Sequence, residues 1–221
     1  MSEHEHTASA GLGAMTLSGF LGALGAKEPA PGGGAAAAVA GATAASLGEM
    51  VARYSVKPKS RPDDVEPLRV SVERLVKVRN ALVHLADDDA SAYAALQEAQ
   101  REAKGAAAGS DEAQRHAAAA RRAAEVPLAI LATALAALRE LEEVLPRVNR
   151  YLVSDLAIAA DFAGAAARAA SWNVQANVPT LRSLGIEEGA SDESDRLVRD
   201  AERRAEAVGR GCRELAESPD R

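Results

Sequence analysis

Apolar positions in this chain recur at helical spacing almost from end to end, and nowhere do they alternate residue by residue as a half-buried strand would require. Leu17, Phe20, Leu21 and Leu24 share one face of a helix over residues 16–26. A second helix runs over 34–54, followed by a basic loop at 55–62. Asp63 and Asp64 open a third, and Leu68, Val72, Leu75, Val76, Leu82 and Leu85 carry it to about residue 85. The run Asp87-Asp88-Asp89 then reads as a fresh helix start, with helix resuming through residue 103. Gly109-Ser110-Asp111 is a break with an N-cap, and the helix after it reaches about residue 145 with a kink at Pro127. Residues 149–178 form the next helix, ended by Pro179, and 191–216 the last. The pattern predicts an all-α bundle of about six helices, with residues 1–15 a loose tail and 16–221 one domain.

Small residues sharpen the second helix. Gly34, Gly41 and Gly48 repeat every seven residues, and Ala38, Ala45 and Ala52 repeat beside them. Glycine within a helix costs about 0.5–1 kcal/mol relative to alanine. Three on one stripe therefore predict close approach of another helix, either in the same chain or in a second subunit.

Composition narrows the classes. The 221 residues are alanine-rich with 3% aromatics, which suits helix, and a net charge of −6 offers no basic footprint for nucleic acid. Cys212 is the only cysteine, so no internal disulfide forms, and a reducing cytoplasm is the expected compartment. No run of eighteen apolar residues suggests a membrane span, and the start of the chain does not read as a signal peptide. His4 and His6 read as solvated, His84 and His116 as satisfied core or surface histidines, and Trp172 as a core residue ahead of one lying against a ligand ring.

The chemistry is concentrated in short segments. Pro29-Ala30-Pro31-Gly32-Gly33-Gly34 stops one helix and starts the next, leaving backbone N–H groups bare at a helix N-terminus where a polar or anionic edge is favoured. It lacks the Gly-Lys-Ser/Thr ending of a nucleotide phosphate loop. Like charge among the three aspartates is expected to raise the pKa of one that faces a pocket, but they stand about 100° apart on a helix, so one or two at most do so. A solvated helix start is the competing reading. Asp155, among Leu152, Val153, Leu156 and Ile158, reads as a buried carboxylate with a function or as a structural partner of Ser154. Asn173 and Asn177 share a helix face, placed to read amide edges or to bond neighbouring backbone. Lys57 and Lys59 follow the glycine-striped helix, in a loop where such lysines are usually solvated.

These segments resemble, in order, the motifs of the cyclodeaminase/cyclohydrolase family, which includes the C-terminal half of formiminotransferase-cyclodeaminase and stand-alone methenyltetrahydrofolate cyclohydrolases. The matching stretches are Pro29 to Gly34, Asp87-Asp88-Asp89-Ala90-Ser91-Ala92-Tyr93, Val126-Pro127-Leu128, Asn149 with Ser154-Asp155-Leu156, and Asn173-Val174-Gln175-Ala176-Asn177. The chain departs where the family usually has serine, at Ala35, and in its basic segment, Val56-Lys57-Pro58-Lys59. The resemblance implies a helical homodimer acting on a one-carbon tetrahydrofolate, with no metal or redox cofactor. It implies Asp89 as general acid/base, with Asp155 the second catalytic candidate. It implies a substrate site from Gly32, Gly33, Gly34, Lys57, Lys59, Ser154, Asn173 and Asn177. Without a formiminotransferase domain in this sequence, the cyclohydrolase reaction is expected before the cyclodeaminase one. A helical dimer that binds without catalysis is the reading from another class.

Overall fold

In the computed structural model, which describes residues 11–56, 62–187 and 189–218, the helices are α1 (Leu17–Leu24), α2 (Gly33–Ser55), α3 (Pro62–Glu102), α4 (Asp111–Val144), α5 (Val153–Ser183) and α6 (Ala190–Glu217). No strand occurs among the described residues. Helices α2 to α5 close a four-helix ring in chain order, α5 packing back on α2, and α6 lies across α4 and α5. The core is alanine, leucine and valine: Ala38, Ala45, Leu75, Leu82, Leu138, Leu141, Leu156 and Ala163 are inaccessible to solvent. Among the described residues α2 alone is long and apolar enough to cross a membrane, and its apolar face is buried among its neighbours.

The glycine stripe has its partner inside the chain. A Cβ on Gly34 would overlap the Asp89 carboxylate, one on Gly41 would come 3.0 Å from Leu82, and one on Gly48 would meet Leu141 and Leu75. α3 thus answers the seven-residue repeat of α2 with its own, at Asp89, Leu82 and Leu75, running antiparallel. α5 lies on the adjoining side, with Ala166 against Gly41 and Asn173 against Gly33. At the far end the Asn149 N–H donates to the Ser55 hydroxyl at 2.9 Å.

Three boundaries differ from the sequence reading, each for a local reason. α3 does not restart at the aspartates; it runs unbroken for 41 residues, because each carboxylate finds its own partner off the helix. Asp87 accepts from the Leu12 N–H, Asp88 pairs with Arg122 at 2.9 Å, and Asp89 accepts from the Ala35 N–H at 3.1 Å. Part of the expected loose tail is structured, while residues 1–10 lie outside the described residues. Residues 12–14 form a 3-10 turn docked on α3 through that Leu12 bond, with the Leu12 side chain partly buried. Pro179 does not end α5, which continues to Ser183. The proline is exposed, and the carbonyl it leaves without a helical partner belongs to Gln175, a partly exposed residue. α4 runs through Pro127 as one helix, as the sequence reading predicts.

Candidate functional site

Where α2 begins, its first-turn amides have no carbonyl one turn back. Gly32 is the N-cap and offers no side chain, so a carboxylate from elsewhere does the capping: Asp89 of α3 accepts from the Ala35 N–H. Asp89 reaches this position only because residue 34 has no Cβ. Its carboxyl is pushed above the usual aspartate range by burial, against the opposing pull of the Ala35 N–H. The cause is desolvation, not repulsion by Asp87 and Asp88, which turn to other partners.

A cavity of about 420 Å³ opens in front of Asp89. Its walls are the glycine loop from Pro29 to Gly34, the α3 face of Asp89, Tyr93, Gln97 and Gln100, and the α5 face of Asn173, Asn177 and Thr180, with Ala123 of α4 behind. Three of the five sequence motifs meet here. The fourth joins them through the backbone. Pro127 has no N–H to give the Ala123 carbonyl one turn before it. Asn177 supplies that bond, its Nδ2 donating to Ala123 O at 3.0 Å and to Asn173 O at 2.9 Å. Asn173 donates more weakly, at 3.3 Å, to Ala169 O.

Residues 16–195 match the family described as formiminotransferase-cyclodeaminase. The chain belongs to that family of enzymes. It is 29% identical over 194 residues to the methenyltetrahydrofolate cyclohydrolase of Methylorubrum extorquens, covering 86% of this chain and 91% of that one. Its fold is similar to the crystal structure of formiminotetrahydrofolate cyclodeaminase from Thermotoga maritima, with a TM-score of 0.76, 26% identity, and coverage of 92% and 96% of the two chains.

Not every residue expected at the family's site lies at this cavity. Ser154 and Asp155 are in the first turn of α5, roughly 27 Å along the helix from Asn173 at 1.5 Å per residue. Asp155 is half-buried rather than enclosed, and Ser154 is exposed beside a groove formed with Arg150, Cys212 and Arg213. Cys212 there has its thiol pushed up to about 11 by burial, which keeps it protonated and unreactive. Lys57 and Lys59 lie outside the described residues. Trp172, expected in the core, is 76% exposed. Ala35 is fully buried and does not line the cavity, so the serine usual in the family would add no hydroxyl to the cavity wall.

The sequence reading missed Gln97, Gln100 and Thr180. Gln97 and Gln100 fall eight and eleven residues after Asp89, on one helical face with Tyr93 between. That spacing becomes legible only once α3 is known to run unbroken.

Proposed function

We propose that this chain is a methenyltetrahydrofolate cyclohydrolase, opening 5,10-methenyltetrahydrofolate with water to give 10-formyltetrahydrofolate. The observation that carries the proposal is Asp89: a partly buried carboxyl of raised pKa, aimed into a cavity between a glycine loop and two asparagines. The bridge carbon of the substrate is an electrophilic amidinium. Asp89 takes a proton from the attacking water as the C–O bond forms. The carbinolamine then collapses. The electron pair of the C–N5 bond returns to N5, the protonated Asp89 delivers its proton there, and the carbinol O–H proton leaves to solvent as the formyl C=O forms. A carboxyl poised above its usual range suits both halves of this transfer. The chemistry needs no metal or redox cofactor.

Tyr93 offers a ring face to the substrate's aromatic portion, and the free first-turn amides of Gly33 and Gly34 offer donors to the developing hydroxyl. Gln97, Gln100 and Thr180 lie toward the tail. The deciding assay mixes purified protein with 5,10-methenyltetrahydrofolate and follows loss of methenyl absorbance. A rate above the uncatalysed one supports the proposal. The likeness to a cyclodeaminase structure supports a second reading, in which formiminotetrahydrofolate loses ammonia; ammonia release from that substrate, with no methenyl hydrolysis, would replace the first reading by it.

The proposal includes a homodimer. Ile158, Phe162 and Trp172 are 43%, 44% and 76% exposed along one uncharged stripe of α5 that passes through Ala165 and Ala169. A second copy covering that stripe would remove it from water. Phe162→Glu is expected to leave helicity intact and shift sedimentation to the monomer; an unchanged mass would refute this interface.

A further inference from the structure

We propose that Asn177 reads the 2-amino group of the substrate's pterin as a hydrogen-bond acceptor, and that Pro127 fixes it in the orientation to do so. This rests on the folate reading above and adds a direction to it. A primary amide has two N–H donors and one carbonyl acceptor. Both donors of Asn177 are spent, one on the Ala123 carbonyl and one on the Asn173 carbonyl. Turning the amide over would set its oxygen against two carbonyl oxygens, so the network allows one orientation. What remains is Oδ1. It has no partner among the described residues and is not among the buried unpaired atoms, on a residue that lines the cavity with Asp89.

The lock originates in Pro127. In an ordinary helix the residue-127 amide would bond to the Ala123 carbonyl, and Asn177 would be free to present either end of its amide. With proline there, Ala123 needs an outside donor and Asn177 has no choice. Asn173 is not fixed in the same way, since its amide makes only one such bond. A pterin carries donors at its 2-amino group and N3–H and an acceptor at its 4-oxo group. An acceptor-only Asn177 selects the donor side. Asn177 is therefore a specificity residue, and Pro127 a positioning residue acting through it.

The test compares KM for 5,10-methenyltetrahydrofolate and for its analogue lacking the 2-amino group. In the parent the analogue is expected to have a KM about fivefold higher, the worth of one neutral hydrogen bond. In Asn177→Ala the two KM values should converge. Because that change strands the Ala123 carbonyl, the double variant Asn177→Ala/Pro127→Ala, in which Ala123 regains a helical donor, serves as the folded companion and should show the same convergence. Pro127→Ala alone frees one amide donor and should narrow the KM ratio, which a purely structural proline would leave alone. An active parent with equal KM values, or a ratio that persists in the double variant, overturns the inference while leaving the reaction standing. A parent inactive toward both substrates overturns the reaction and the inference together.

Discussion

The two ends of α5 carry similar polar residues, and the bundle treats them oppositely. At the C-terminal end Asn173 and Asn177 look across a cavity at a partly buried aspartate, with the glycine loop closing the wall. At the N-terminal end Ser154 and Asp155 sit near the surface, and the Asp155 side chain is not enclosed. Both segments carry family motifs. Helix length separates them, and only one end meets the start of α2, where a side chain is missing at Gly34 and a carboxylate takes its place. A motif becomes a site when neighbouring elements desolvate it.

The comparison breaks most visibly on activity. Asp89→Asn keeps the shape and cannot exchange a proton, so turnover should fall by about 10²–10⁴-fold. Asp155→Asn should cost little in the same assay, as should Asp88→Asn, which loses only a half-exposed pair with Arg122 worth about 1 kcal/mol or less. A loss at Asp155 matching that at Asp89 would mean that a second copy brings the far end of α5 to the cavity.

Packing is the next largest effect. Gly34→Ala drives a methyl group into the Asp89 carboxylate and should cost about 1–3 kcal/mol in thermal unfolding, with turnover falling too. Gly32→Ala meets open space and is expected to unfold like the parent. Gly41→Leu, overpacked against Leu82 and Ala166, should lose a similar amount. Equal melting of all three variants and the parent would remove the glycine stripe from the account.

Stability can also sharpen the link between α4 and α5. Asn177→Ala leaves the buried Ala123 carbonyl unpaired at a cost of about 1–3 kcal/mol. Adding Pro127→Ala should recover most of it, so the two changes are expected to be strongly non-additive in urea unfolding. Additive losses would mean that another group, not Asn177, satisfies Ala123.

The smallest effect is on pH dependence. Burial raises the Asp89 pKa above its unfolded value of 3.8, so the charged form is the disfavoured one in the folded state. The stability tied to its neutral form is full below that unfolded value and is lost as pH rises through the raised folded value. Asp89→Asn has no such loss. Melting temperatures of parent and variant should therefore diverge in the variant's favour as pH rises from acid toward neutral. Curves that stay parallel would mean that Asp89 titrates as an ordinary surface aspartate.

Much of this was legible before folding. Helical spacing marked the helices, the seven-residue glycine repeat called for a close partner, and the Ser110 cap falls where α4 starts, accepting from the Ala113 N–H. The errors lay where tertiary partners override local signals. Three adjacent aspartates look like a helix start until each is seen to have its own partner, and Pro179 looks like a stop until its exposure is known. Trp172 looks like core until the face it occupies is seen to be uncovered.

The sequence by itself determined the all-helical class, the small-residue seam and the family, because those depend on spacing and residue type along one chain. The tertiary structure alone decided which carboxylate is desolvated, which end of α5 meets the glycine loop, and that Asn177 repairs the bond Pro127 withholds. Those facts depend on contacts between residues 54 apart, Ala35 with Asp89 and Ala123 with Asn177, and local propensity carries no record of such pairings.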